Sequence, residues 1–147
     1  MNKTVLITGA TSGFGKAIAG IFAKNNYNLI ITGRRENRLQ EVKAELEQAY
    51  KIAVTTTCFD IRERKQVETA VEQLLQSGAQ IDILNNNAGL AAGFSSIEDG
   101  DVDDWDTMID TNVKGLLYIT RKIAPLMKAQ GHGHIINIGS TAGKVVY

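Results

Sequence analysis

Short runs of continuous apolar residues alternate along this chain with longer segments whose apolar residues recur at helical spacing, and the alternation predicts strands followed by helices. Val5-Leu6-Ile7 is the first run; it ends at a glycine cluster, after which Ala17, Ile18, Ile21 and Phe22 return at the spacing of a helix. Leu29-Ile30-Ile31-Thr32 repeats the strand signature before Gly33, and Leu39, Val42, Ala44 and Leu46 follow in a Glu/Lys-rich stretch of good helix formers. The β-branched stretch Ile52-Ala53-Val54-Thr55-Thr56-Thr57-Cys58 predicts a third strand, and Val67, Ala70, Val71, Leu74 and Leu75 mark a third helix. Ile81-Asp82-Ile83-Leu84 predicts a fourth strand leading into Asn85 to Gly89, then an irregular stretch to Asp103. A helical region follows, its long last part running from about Asn112 to Lys128, before Gly131 and Gly133 set off a fifth strand, Ile135-Ile136-Asn137-Ile138. Strands and helices in this alternation predict right-handed crossovers and a parallel sheet covered on both faces, an α/β fold.

Composition narrows the picture. With 147 residues and 44% hydrophobic side chains there is material for one core, so residues 1–147 are expected to form a single domain. Sixteen basic residues balance sixteen acidic ones, which gives no overall field toward nucleic acid or an anionic membrane, and neither is an expected partner. Cys58, the one cysteine, excludes an internal disulfide and fits a reducing compartment, with the cytoplasm as the expected location. The first apolar run meets Gly9 too soon for a signal-peptide core or a membrane span.

Candidate chemistry begins in Thr8-Gly9-Ala10-Thr11-Ser12-Gly13-Phe14-Gly15, where the first strand passes into a helix whose free N–H groups and positive end suit a pyrophosphate. Gly9 suits a tight turn, Gly13 a close approach of backbone to phosphate, and Gly15 close packing of helix on strand. Taken alone, such glycines serve backbone geometry as readily as a ligand; their place after the first strand favours the ligand. The second strand ends Thr32-Gly33-Arg34-Arg35, where NAD-binding folds of this kind commonly carry a carboxylate for the ribose hydroxyls. Guanidiniums there would instead hold a 2′-phosphate through paired charge-assisted bonds, which favours NADP over NAD; the competing reading is two solvated charges, opposed by the helix dipole.

With Asn86-Asn87-Ala88-Gly89 after the fourth strand, two spaced motifs agree, and the chain resembles the short-chain dehydrogenase/reductase family over its whole length. Asp60, Asn112 in Asp110-Thr111-Asn112-Val113-Lys114-Gly115, and Ser140 in Ile136-Asn137-Ile138-Gly139-Ser140 extend the match. The resemblance implies a Rossmann-like, doubly wound sheet of order 3-2-1-4-5, NADP bound by Gly9, Thr11, Ser12, Gly13, Phe14, Gly15, Arg34, Arg35, Asp60, Ile61, Asn87, Ala88 and Gly89, and Ser140 and Asn112 as catalytic residues. It implies an aspartate against adenine, an Asn-Asn-Ala-Gly segment supporting the sheet, and no metal. Thr11 to Gly15, Thr32 to Arg35, Asp104 to Asn112 and Gly133 to Gly143 are similar to a narrower branch of NADP-dependent 3-hydroxy acid (serine or allo-threonine) dehydrogenases. That likeness implies a small-molecule substrate, a 3-hydroxy acid or a semialdehyde, and a homo-oligomer, usually a tetramer in the family. It also implies further strands, a sixth and a seventh, and a tyrosine general acid roughly thirteen residues beyond the serine, with a lysine four further on. Tyr147 stands seven places past Ser140 and is not given that role, so this chain alone is expected to be inactive, with Leu116, Leu117, Ile119, Ile123 and Leu126 partly uncovered.

Several features invite blander readings. Asp99, Asp101, Asp103 and Asp110 imitate calcium-loop spacing, but Asp104 stands where the loop requires glycine, so helix capping is expected instead. His132 and His134 are expected to be solvated, and Cys58, Trp105 and Met108 to be core. Asn85 stands where the family has an apolar residue, and a buried amide there needs partners.

Overall fold

The structure is a computed structural model that describes residues 1–145, so Tyr147 lies outside the described residues. Five parallel strands, β1 (Thr4–Ile7), β2 (Asn28–Gly33), β3 (Val54–Cys58), β4 (Ile83–Asn86) and β5 (His134–Asn137), form one sheet of order β3-β2-β1-β4-β5. This is the expected doubly wound α/β arrangement. Helices α1 (Gly13–Lys24), α2 (Glu36–Ala49) and α3 (Arg64–Gln76) follow the first three strands, and α4 (Val102–Ile109), a π-helical segment (Asp110–Gly115) and α5 (Leu116–Gln130) precede β5. Because successive strand side chains alternate sides, Leu6 packs into the cluster with Val67, Val71, Ile119 and Ile123, while Val5 and Ile7 join Ala19, Ala23, Leu39 and Val42. β1 is thus the buried spine of two cores, one per face of the sheet.

The boundaries differ from the sequence expectation in particular places. β3 begins at Val54, β4 is displaced to end at Asn86, and β5 starts one residue early, at His134. The larger correction concerns α1. Its buried face is Gly15, Ala19 and Ala23, with Ile18 and Phe22 half-buried, whereas Ala17 and Ile21 point to solvent. Small residues win that face because they bring the helix axis close to the sheet, which places the preceding glycine turn directly over the strand ends.

Two further expectations are overturned, and a third holds for three of its five residues. Cys58 is exposed: it ends the edge strand β3 and belongs to neither core cluster. Trp105 is exposed and Met108 half-buried, since α4 lies on the surface with no fully buried residue. Ile119 and Ile123 are completely buried against α3 and the sheet, while Leu117 is 57% exposed and Leu116 and Leu126 are intermediate. On the outer edge, Glu47 Oε1 accepts the Val54 N–H at 3.0 Å and Gln66 Oε1 accepts the Asp60 N–H at 2.9 Å, so two side chains satisfy backbone donors that a neighbouring strand would otherwise take.

Candidate nucleotide cleft

The site lies at the carboxyl ends of the strands, beside β1 and β4, where helix crossovers leave the sheet on opposite faces and the topology opens a crevice. A cleft of about 490 Å³ is lined there by Gly9, Thr11, Ser12, Gly13 and Phe14 from the first turn, Thr32 to Arg35 after β2, Phe59 to Arg62 after β3, Asn87 to Leu90 after β4, and Thr111. The glycine turn and the paired arginines therefore face one space, although they are more than twenty positions apart in sequence. Gly9 and Gly13 take left-handed backbone, at φ 65° and 53°, which glycine adopts without a Cβ penalty. A Cβ on Gly9 would lie 2.9 Å from Ala88 Cα, so the turn rests directly on the segment after β4.

Asn87 fixes that contact. Its Nδ2 donates to the carbonyls of Thr8 and Gly9, each at 3.1 Å, while Thr8 Oγ1 accepts the N–H groups of Asn87 and Ala88 at 3.1 and 3.0 Å. On the other side, the Ala10 N–H donates to the Thr32 carbonyl at 3.0 Å, and Arg35 Nη2 donates to Thr11 Oγ1 at 3.2 Å. The turn is held from both flanking strands, so its amides are set before any ligand arrives. Ser12 precedes α1 without a side-chain cap, and the first turn holds no acidic residue, which leaves the positive helix end open to an anion.

Beyond β3, Asp60 accepts four hydrogen bonds from Arg62: the backbone N–H at 3.0 Å, Nε at 3.1 Å to each oxygen, and Nη2 at 2.7 Å. Those side-chain bonds hold the Asp60 carboxyl below the usual carboxylate range, against a smaller opposing push from burial. The stabilisation this gives is complete above the ordinary carboxylate pKa and fades as pH falls through the depressed value. At Cys58, partial burial and then Glu36 raise the thiol pKa, so the exposed sulfur stays protonated and is a poor nucleophile.

The remaining candidates are distributed differently. Gly15 sits behind the cleft wall, where a Cβ would be 2.5 Å from Asn87 Nδ2 and would run into the Gly9 carbonyl oxygen. Asn112 lies in the π-helical segment, a departure from α geometry that often marks functional positions. Its amide clasps one residue of the loop after β4: Oδ1 accepts the Leu90 N–H at 2.9 Å and Nδ2 donates to the Leu90 carbonyl at 2.7 Å. Ser140 follows β5, is exposed, and accepts the Ala142 N–H at 3.1 Å. Neither Asn112 nor Ser140 lines the cleft itself. Sequence reasoning gives no site role to Thr32, Phe59, Leu90, Thr111 and Arg62 of the lining, nor to Thr8, which braces the turn from behind; the Asp-x-Arg spacing just after a strand is the available signal for Arg62.

Elsewhere, Asp101 caps α4 by accepting the Asp103 N–H at 2.9 Å, as the capping reading expects, and among the described residues no cluster of three His, Cys, Asp or Glu suits a metal ion. His132 and His134 are both exposed. Among the described residues no helix is long and apolar enough to cross a membrane.

Comparison with known proteins agrees with the architecture. Over 143 residues the chain is 50% identical to the NADP-dependent 3-hydroxy acid dehydrogenase YdfG of Escherichia coli K12, covering 97% of this chain and 56% of that protein. It is 45% identical over 148 residues to sulfoacetaldehyde reductase 2 of Chromohalobacter salexigens, covering all of this chain and 58% of the relative. The chain thus spans a little over half the length of these curated relatives. Among solved structures, serine dehydrogenase from Escherichia coli superposes with a TM-score of 0.90 at 48% identity, over 98% of this chain and 65% of that one. The closed form of serine dehydrogenase complexed with NADP+ superposes with a TM-score of 0.86, also at 48% identity, over 98% of this chain and 56% of that one. The family described as short chain dehydrogenase matches residues 3–147, and the chain belongs to that family.

Proposed function

We propose that residues 1–147 form a single nucleotide-binding domain of an NADP-dependent oxidoreductase that transfers hydride between NADP(H) and a small 3-hydroxy acid or semialdehyde. One observation carries the cofactor part: the amides of the Gly9 to Gly15 turn and the guanidiniums of Arg34 and Arg35 border the same cleft. The residues fit the group. Nothing lies within 4 Å of a Cβ built on Gly13, so the backbone there is open to a phosphate, and the cleft carries three arginines against one carboxylate. Thr111 also borders the cleft. The substrate class follows the names of the similar dehydrogenases.

When bound, NADPH supplies the hydride. The protein's part is to hold and orient: the α1 turn takes the diphosphate, Arg34 and Arg35 the 2′-phosphate, Asp60 and Ile61 the adenine, and Asn87 to Gly89 fix the turn. Ser140 would donate to the substrate oxygen and Asn112 would hold a water of the proton relay, as the family resemblance implies. A serine hydroxyl and an amide position groups but do not exchange protons near neutral pH, so the polypeptide of residues 1–147 is expected to bind NADPH without turnover.

Fluorescence titration tests both parts. NADPH should bind more tightly than NADH, and Arg34→Ala should weaken NADPH about ten- to a hundredfold while leaving NADH nearly unchanged. An unchanged NADPH/NADH ratio would remove the phosphate role, and turnover clearly above a Ser140→Ala control would remove the binding-only expectation. Arg34 is the better position to change than Gly33, where a Cβ would meet Thr11 Cγ2 at 2.7 Å and disturb the turn itself. Val102, Ile109, Val113 and Leu117 form an exposed apolar stripe, for which a second copy of the chain is the proposed partner. Light scattering at micromolar concentration should show a dimer or larger; a monomer would end that part.

A further inference from the structure

We infer that Arg62 is a positioning residue for cofactor choice: by pairing with Asp60 it cancels the only carboxylate bordering the cleft among the described residues, and so keeps the cleft receptive to the extra phosphate of NADP. The inference rests on the proposed NADP reading, in which Asp60 meets the adenine end and Arg62 counts only toward the cleft's charge.

The geometry is that of a held pair. The chain turns immediately after Asp60, with the Glu63 N–H donating to the Asp60 carbonyl at 3.0 Å, and this turn folds the Arg62 guanidinium back onto the carboxylate two residues earlier. Both carboxylate oxygens are engaged by the guanidinium, and Gln66 Oε1 fixes the Asp60 backbone N–H. The side chains are 20% and 32% exposed, so the pair is partly shielded from solvent. Arg34 is close enough for its charge to act on Asp60, which places the carboxylate within electrostatic reach of a phosphate held at Arg34. The other charges felt by Arg62 are Glu63 and Asp110, and Asp110 is itself bonded by Lys114 at 2.7 Å. Without Arg62, Asp60 would face the 2′-phosphate with its full charge, and like charges across a cleft repel. NADH lacks that phosphate and would be affected far less.

The test is a four-corner cycle read as the ratio of NADPH to NADH affinity at low ionic strength, where charge effects are least screened. Any adenine contact is common to both nucleotides and cancels in the ratio, as does a loss confined to stability. Arg62→Gln should lower the ratio on the order of five-fold. Asp60→Asn/Arg62→Gln should return it to the wild-type value, Asp60→Asn alone should raise it, and Arg62→Lys should hold it within about two-fold because the charge remains. If wild type shows no preference for NADPH, the cofactor reading fails and this inference fails with it. If wild type prefers NADPH and Arg62→Gln leaves the ratio unmoved, only the role of Arg62 is overturned. A lowered ratio that the double variant does not restore would mean a direct action on phosphate, which overturns the route through Asp60. Should Arg62→Gln fail to fold, Asp60→Asn still decides: an unchanged ratio there overturns the inference.

Discussion

Gly15→Ala is expected to abolish measurable NADPH binding and to destabilise the domain by on the order of 3 kcal/mol, the upper end of what overpacking ordinarily costs. The added methyl would collide with the Gly9 carbonyl oxygen, lie 2.9 Å from the Gly9 carbonyl carbon and 2.5 Å from Asn87 Nδ2. None of these neighbours can yield independently. Gly9 is pressed against Ala88, and Asn87 spends its amide on the Thr8 and Gly9 carbonyls, so relief must come from moving the turn, the very element proposed to hold the diphosphate. Gly20→Ala is the matched control: it lies in the same helix with nothing within 4 Å of its Cβ, and should gain up to about 1 kcal/mol from helix propensity. Urea unfolding alongside NADPH titration separates the two. If both variants behaved alike, the close contact between α1 and the β1 turn would lose its place in this account.

The second large effect runs the other way. Asn85→Val should stabilise the domain by about 1 to 3 kcal/mol, raising the urea midpoint without changing its slope. Asn85 is 2% exposed in β4, between Ile7 of β1 and Ile136 of β5, and its Oδ1 has no hydrogen-bond partner among the described residues. Valine fills nearly the same volume, suits a strand, and brings no polar atom to bury. Asn85→Asp should do the opposite, since a buried carboxylate lacking a cation costs more than an amide. A destabilised Asn85→Val variant would show that the amide is satisfied in solution and that the residue contributes to the fold.

How much of this was legible in the residues depends on the kind of signal. β1 and β2 were plain because fully buried parallel strands read as unbroken apolar runs, and the glycine turn was plain because it sits between a strand and a helix. The contact face of α1 was misread because periodicity weighs apolar character and not volume: Ile21 looks like core, yet Gly15, Ala19 and Ala23 make the contact. Trp105 and Cys58 were misjudged for a related reason, since neither pattern nor composition says which helix lies outside or which strand is an edge. In the cleft, the glycines, Arg34, Arg35 and Asp60 were found from spacing and family resemblance. Thr8 is not, because its partners Asn87 and Ala88 lie about eighty positions away, whereas Arg62 is signalled only by its Asp-x-Arg spacing.

The clasp between Asn112 and Leu90 couples two parts of the molecule that are far apart in sequence. By offering an acceptor and a donor to one residue, the Asn112 amide imitates an additional peptide unit and ties the irregular helical turn to the chain leaving β4. Val113 and Leu117, on the solvent side of that turn, are 47% and 57% exposed. Leu90 borders the crevice, so an occupant there and a partner covering Val113 and Leu117 would each bear on the segments that this clasp ties together.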